Sequence, residues 1–114
     1  MSDTQQINIE DINDVSVVRF VQERIIDESD IQQLGEELYS LATNSAILLN
    51  FEDVKFLSSA ALGKLIKLDK KVKENNGKLV MSNIRPEIYD VFTITRLHKV
   101  FVIADSQDDA LAGF

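Results

Sequence analysis

Apolar residues change their spacing several times along this chain, and each change marks an element. Val15-Ser16-Val17-Val18-Arg19-Phe20-Val21 is dense in β-branched residues and predicts a strand. Ile7-Asn8-Ile9 alternates ahead of it as a short edge strand, and the Asn13-Asp14 turn makes the two a hairpin. The period then lengthens. Ile31, Leu34, Leu38 and Leu41 recur at steps of three and four, the spacing of one helical face. Asp27 or Ser29 can cap that helix, and Asp27, Glu28 and Asp30 place anions at its positive end. Thr43-Asn44-Ser45 ends it, and Ala46-Ile47-Leu48-Leu49-Asn50-Phe51 is a continuous apolar run suited to a central strand covered on both faces.

The segment Glu52–Leu57 reads as a connection, after which Ser58-Ser59 precedes a second helix with Leu62, Leu65, Ile66 and Val72 on its apolar face. Asn75-Asn76-Gly77 stops it. Lys78-Leu79-Val80-Met81-Ser82 is a further strand. Pro86 sits where a third helix should begin, and Ile88, Val91 and Phe92 give that helix its buried face. Val100-Phe101-Val102-Ile103 forms a last strand and Ser106 to Ala112 a short capped helix. The order β-β-α-β-α-β-α-β-α implies crossover connections. The expected fold is α/β: one domain over 1–114 with its core at about 7–112. Its mixed, mostly parallel central sheet carries about four helices, with the N-terminal β-hairpin at one edge.

Length agrees, since 114 residues are close to the commonest size of a single domain. The absence of cysteine excludes disulfides, thiolate metal sites and cysteine catalysis, and the lone His98 leaves no histidine metal cluster. Four scattered glycines offer no phosphate-cradling loop, so neither an enzyme constellation nor a bound cofactor is expected. No apolar run approaches the ~20 residues of a membrane span, and the N-terminus lacks the pattern of a secretion signal, so a cytoplasmic protein without a membrane partner is expected.

The net charge of −7 argues against direct nucleic-acid binding. Its distribution is uneven. Residues 1–53 hold twelve acids and two bases, while residues 54–114 hold seven acids and ten bases, five of them lysines between Lys64 and Lys73. Those lysines either solvate an exposed helix face or dock an acidic protein partner.

The most informative stretch is Phe56-Leu57-Ser58-Ser59-Ala60-Ala61-Leu62-Gly63. One reading is a serine cap ahead of a helix. The other is a phosphorylation site: free backbone N–H groups and the helix dipole favour an added anion, and small neighbours let a partner's active site approach.

At these residues the chain resembles a STAS domain (sulphate transporter and anti-sigma-factor antagonist), and more narrowly the free-standing anti-sigma-factor antagonists of bacteria. The family pattern ends in Asp-Ser-Ser/Thr-Gly-Leu-Gly, matched here by Ser58-Ser59-Ala60-Ala61-Leu62-Gly63 after Asn50-Phe51 and Phe56-Leu57. Asn76-Gly77-Lys78-Leu79-Val80-Met81, Phe92, Leu97, Lys99, Val100-Phe101 and Ala110-Leu111 extend the match. The departures are Ser58 at the family's aspartate, Ala61 at its glycine, Gln22-Glu23-Arg24-Ile25 in place of a Gly-Glu-Leu-Asp loop, and Arg96 at the glycine before Leu97.

The resemblance implies a partner switch. An unphosphorylated antagonist binds an anti-sigma factor that is also a serine-protein kinase and frees a sigma factor; phosphorylation releases the antagonist, and a serine phosphatase resets it. The nucleotide belongs to the kinase. The phosphoacceptor role carries onto Ser59, with Ser58 as the alternative. The partner-binding surface carries onto Glu23, Ile25 and Asp27 in the loop after the second strand, and onto Ser58, Ser59, Ala60, Ala61, Leu62 and Lys64 at the helix start. An alternative function is a non-phosphorylated STAS scaffold or interaction module in another signalling complex. A small α/β enzyme or ligand-binding domain is a third class, and no convergent polar pocket is visible for it.

Overall fold

The computed structural model describes residues 6–114; Met1 to Gln5, and with them most of the N-terminus read above for a secretion signal, lie outside the described residues. The hairpin forms as expected. Strands β1 (Ile7–Ile12) and β2 (Val15–Phe20) pair antiparallel, Ile12 opposite Val15. The Asn13-Asp14 loop takes positive φ at both residues (52° and 67°), the conformation of a tight type I′ hairpin turn, which asparagine and aspartate tolerate.

The sheet then grows by parallel pairing. β4 (Ala46–Asn50) lies beside β2, β6 (Lys78–Ser82) beside β4, and β7 (Val102–Ala104) beside β6, giving the order β1-β2-β4-β6-β7. One face carries α1 (Glu28–Tyr39), α2 (Ser59–Glu74) and α3 (Pro86–Ile94) over a core that includes Val18, Phe20, Ile47, Leu49, Leu65, Leu68, Met81 and Phe92. The opposite face carries α4 (Gln107–Ala112), whose Ala110 packs with Val15, Val17, Leu48 and Val80. Alternation along each strand divides these two sets: Ile47 and Leu49 point one way and Leu48 the other.

Helix boundaries follow their chemistry. Ser106 accepts a hydrogen bond from the Asp109 amide at 3.1 Å and caps α4. Pro86 opens α3. At the end of α2 the Gly77 amide donates to Val72 O at 2.8 Å and the Asn76 amide to Lys73 O at 3.0 Å, a Schellman arrangement. The left-handed residue is Asn76 (φ 62°), not Gly77. Glycine is needed at 77 for another reason. A Cβ there would stand 2.9 Å from the Val72 side chain and 3.1 Å from Asn44 O.

Four expectations need correction. Glu52–Leu57 is more than a connection: it contains the two-residue strand β5 (Phe56–Leu57), which pairs in parallel with β3 (Arg24–Ile25) as a separate small sheet. Ile66 is 41% exposed, because the buried face of α2 runs through Ala61, Leu62, Leu65, Leu68, Asp69 and Val72. Val91 is 36% exposed, leaving Ile88 and Phe92 to bury α3. The last strand starts at Val102, because a 3-10 turn at Leu97–Lys99 holds Val100 and Phe101 through hydrogen bonds to Leu97 O. That turn is entered through Arg96 in the left-handed region (φ 63°), at the position where the related pattern has glycine; a side chain there costs about 1–2 kcal/mol.

Candidate functional site

The small β3–β5 sheet fixes the start of α2. The Glu23 carbonyl accepts from the Lys55 amide at 2.7 Å and the Phe56 amide at 3.1 Å, and the Ile25 carbonyl accepts from the Ser58 amide at 3.1 Å. Below these bonds, Ile25, Leu57 and Val54 are buried in the main core. Above them, the Arg24 guanidinium lies 5.5 Å over the exposed Phe56 ring, and Lys55 pairs with Glu23 at 3.6 Å. The chain therefore reaches Ser58 with little freedom.

The two serines have different surroundings. Ser58 is half-buried with extended backbone (φ −75°, ψ 164°), and its Oγ accepts from the Ala61 amide at 3.3 Å, capping α2. It thus supplies the cap that an aspartate would supply at that position. Ser59 is the first residue of α2 and is exposed, as is Ala60. The first turn of α2 carries no acid, whereas α1 has Glu28 and Asp30, α3 has Glu87, and α4 has Asp108 and Asp109. A phosphoryl group on Ser59 would meet the positive end of the helix without a resident carboxylate in that turn.

The remaining residues expected at the site divide by burial. Ile25, Ala61 and Leu62 are in the core, where they hold the site in place. Glu23 and Asp27 are exposed; Asp27 is the cap residue of α1, although its carboxylate makes no capping hydrogen bond. Lys64 is half-buried, its aliphatic stem lying where a Cβ on Gly35 of α1 would come within 2.9 Å. Gly63 is the reverse case: a Cβ there would meet nothing within 4 Å.

Sequence reasoning missed the β3–β5 pairing and the exposure of Phe56. Two-residue strands carry no period, and Arg24-Ile25 and Phe56-Leu57 share no polar–apolar pattern that could have signalled their pairing. Among the described residues, no His, Cys, Asp and Glu side chains come together as a metal-holding group, and no helix is long and apolar enough to cross a membrane.

A STAS-domain profile matches residues 6–110. The chain belongs to the STAS domain family. Among curated proteins, this STAS domain is similar to BtrV of Bordetella bronchiseptica, named as an anti-sigma factor antagonist, with 25% identity over 92 residues covering 79% of each chain. Its fold is also that of solved structures. A STAS-domain anti-sigma-factor antagonist protein of Planctomyces limnophilus superposes with a TM-score of 0.85 at 21% identity, over 94% of this chain and 96% of that one. An anti-sigma factor antagonist of Mycobacterium paratuberculosis gives 0.81 at 23%, over 98% and 96%. SpoIIAA of Bacillus in its phosphorylated form gives 0.69 at 20%, over 93% and 96%. Within the STAS fold the candidate site stands at the start of α2, braced by β3.

Proposed function

We propose that this STAS domain is an anti-sigma-factor antagonist. It binds an anti-sigma factor kinase through the end of the molecule built by β3, β5 and the start of α2, and phosphorylation of Ser59 switches it. The observation that carries this reading is the division of labour between neighbouring hydroxyls: Ser58 already caps the helix, while Ser59 is exposed on its first turn. Similarity to BtrV supports the antagonist role. In this scheme ATP is held by the kinase, the STAS domain performs no catalytic step, a serine phosphatase reverses the modification, and all of it takes place in the cytoplasm. Phosphoserine adds about −1.5 to −2 charges at pH 7. Inside a docked interface that charge would have to be desolvated against the partner, which disfavours rebinding.

The test is intact-mass measurement after incubation with the cognate kinase and ATP. Gain of one phosphate by the wild-type chain, lost in Ser59→Ala and retained in Ser58→Ala, is the expected result; phosphate that persists in Ser59→Ala sinks the assignment to Ser59. A second reading, a scaffold that is not phosphorylated, is favoured by one observation: the cap of α2 is Ser58, where the related pattern has aspartate, so no carboxylate stands beside Ser59 at that position. Under that reading Ser59→Glu leaves partner affinity within twofold of wild type; under the switch reading it lowers affinity at least tenfold, about 1.4 kcal/mol.

A further inference from the structure

The main sheet ends in two edge strands of different character. On β1 the side chains of Asn8, Glu10 and Asp11 are exposed, and charge on an edge strand guards it against further pairing. On β7 there is no such guard: its residues are Val102, Ile103 and Ala104. Among the described residues β7 has β6 as its one neighbouring strand, and no hydrogen bond outside that ladder reaches the backbone of residues 102–104. Val102 is 53% exposed, and the chain that enters the strand leaves Ile94 81% and Val100 46% exposed.

Charge is ordered along this edge. Residues 95–101, which lead into β7, hold Arg96 and Lys99 and no acid. Residues 105–114, which follow it, hold Asp105, Asp108 and Asp109 and no base. All five side chains are exposed, and among the described residues none of them makes an ion pair.

We propose that the free edge of β7 pairs antiparallel with the same edge of a second copy of this chain, giving a twofold dimer with one sheet running through both subunits. The contact lies on β7, away from the strands and helix start assigned to the kinase, and is independent of the antagonist reading.

Charge complementarity selects a second copy. A twofold axis beside an edge strand makes the pairing antiparallel and self-complementary. Centred on Val102, it sets the exposed valine against its own copy. Lys99, three residues before Val102, then comes to the end where Asp105 of the partner subunit stands, three residues after it. The same contact forms twice. Parallel pairing would instead put base against base and acid against acid. Pairing of β7 with β1 of another copy would meet the guarded edge and leave free edges at both ends, so it would grow into a filament. Stable interfaces cover about 800 Å² on each partner, more than a three-residue strand offers. A dissociation constant in the micromolar range is therefore expected.

Sedimentation equilibrium of the full chain tests this. The wild type should fit a monomer–dimer equilibrium. Val102→Lys places a charge at the centre of the contact and should raise the dissociation constant at least tenfold. Lys99→Glu and Asp105→Lys should each raise it at least threefold, and the two changes combined should return it to within twofold of wild type, because the reversed charges again meet their opposites. All three positions are exposed, so thermal melting should show each variant folded. A chain that stays monomeric at every concentration reached overturns the inference. So does assembly that grows past the dimer, the mark of β7 pairing with β1. A dimer that ignores Val102→Lys, or that the double reversal fails to restore, places the contact elsewhere and overturns it too. Kinase binding enters none of these readouts, so the antagonist reading stands or falls separately.

Discussion

The two halves of α2 use their surfaces differently. From Ser58 to Gly63 the exposed positions are small: a serine, an alanine, and a glycine with open space around it. From Lys64 to Glu74 they are mostly lysines, and several of these are held within the chain. Lys64 lies along Gly35, Lys67 and Lys71 stand 5.4 and 5.7 Å over the Tyr39 ring, and Lys73 pairs with Asp69 at 2.8 Å and reaches the Val100 carbonyl at 3.4 Å. The Tyr39 hydroxyl beneath two of them is buried without a hydrogen-bond partner, and burial pushes its phenol above the usual range. The lysine half therefore has structural work that accounts for much of its composition. In the small half Ser58 caps the helix and Ala61 and Leu62 enter the core, while Ser59, Ala60 and Gly63 are exposed and free to serve a partner.

The sharpest way to break this contrast is in the layer beneath both halves. Leu65 is fully buried, and Leu65→Ala should cost about 2–5 kcal/mol in urea denaturation, with binding lost only as folding is lost. Next comes the lysine half. Lys73→Ala would leave the buried Asp69 carboxylate without its 2.8 Å partner, a loss of about 1–3 kcal/mol, and Lys73→Ala in an Asp69→Asn background should recover most of it. Affinity for the partner should not move; if it does, the basic half is also a docking surface. In the small half, Ser58→Ala should cost about 1 kcal/mol through the lost cap, and Ser58→Asp should restore stability. The smallest effect is the most diagnostic. Gly63→Ala meets no obstacle, so it should raise stability by about 0.5–1 kcal/mol. On the antagonist reading the same methyl group should weaken kinase binding, and a gain in stability with unchanged binding would remove Gly63 from the interface.

How much was legible in the sequence depended on the range of the interaction. The hairpin was legible because β-branched alternation and an Asn-Asp turn act over neighbouring residues, and the structure returns both positive φ values there. The helices were legible from spacing, yet their exact bearing was not. Ile66 and Val91 fall one position off the buried stripe, and only the packing of α2 and α3 on the sheet reveals that. Asn75-Asn76-Gly77 read correctly as a stop, but the left-handed residue is Asn76 while Gly77 answers the close approach of Val72 and Asn44. At the candidate site the paired serines stood out in the sequence. Their division into cap and exposed hydroxyl did not, because it depends on the Ile25 carbonyl, more than thirty residues away, holding the Ser58 amide.

The sequence alone determined a single α/β domain: its periods and breakers order the elements, its composition leaves no thiolate or multi-histidine metal site, and its serine-led helix carries the family resemblance. These are local properties, set by backbone preference and by which face of an element is apolar. Tertiary structure alone decided that β3 and β5 pair, that Phe56 and Val91 remain uncovered above Leu57 and Ile88, and that Ser59 is the exposed hydroxyl. Each of these depends on contacts between segments distant in sequence, and two-residue strands and one-residue shifts in burial are too short to leave a periodic trace.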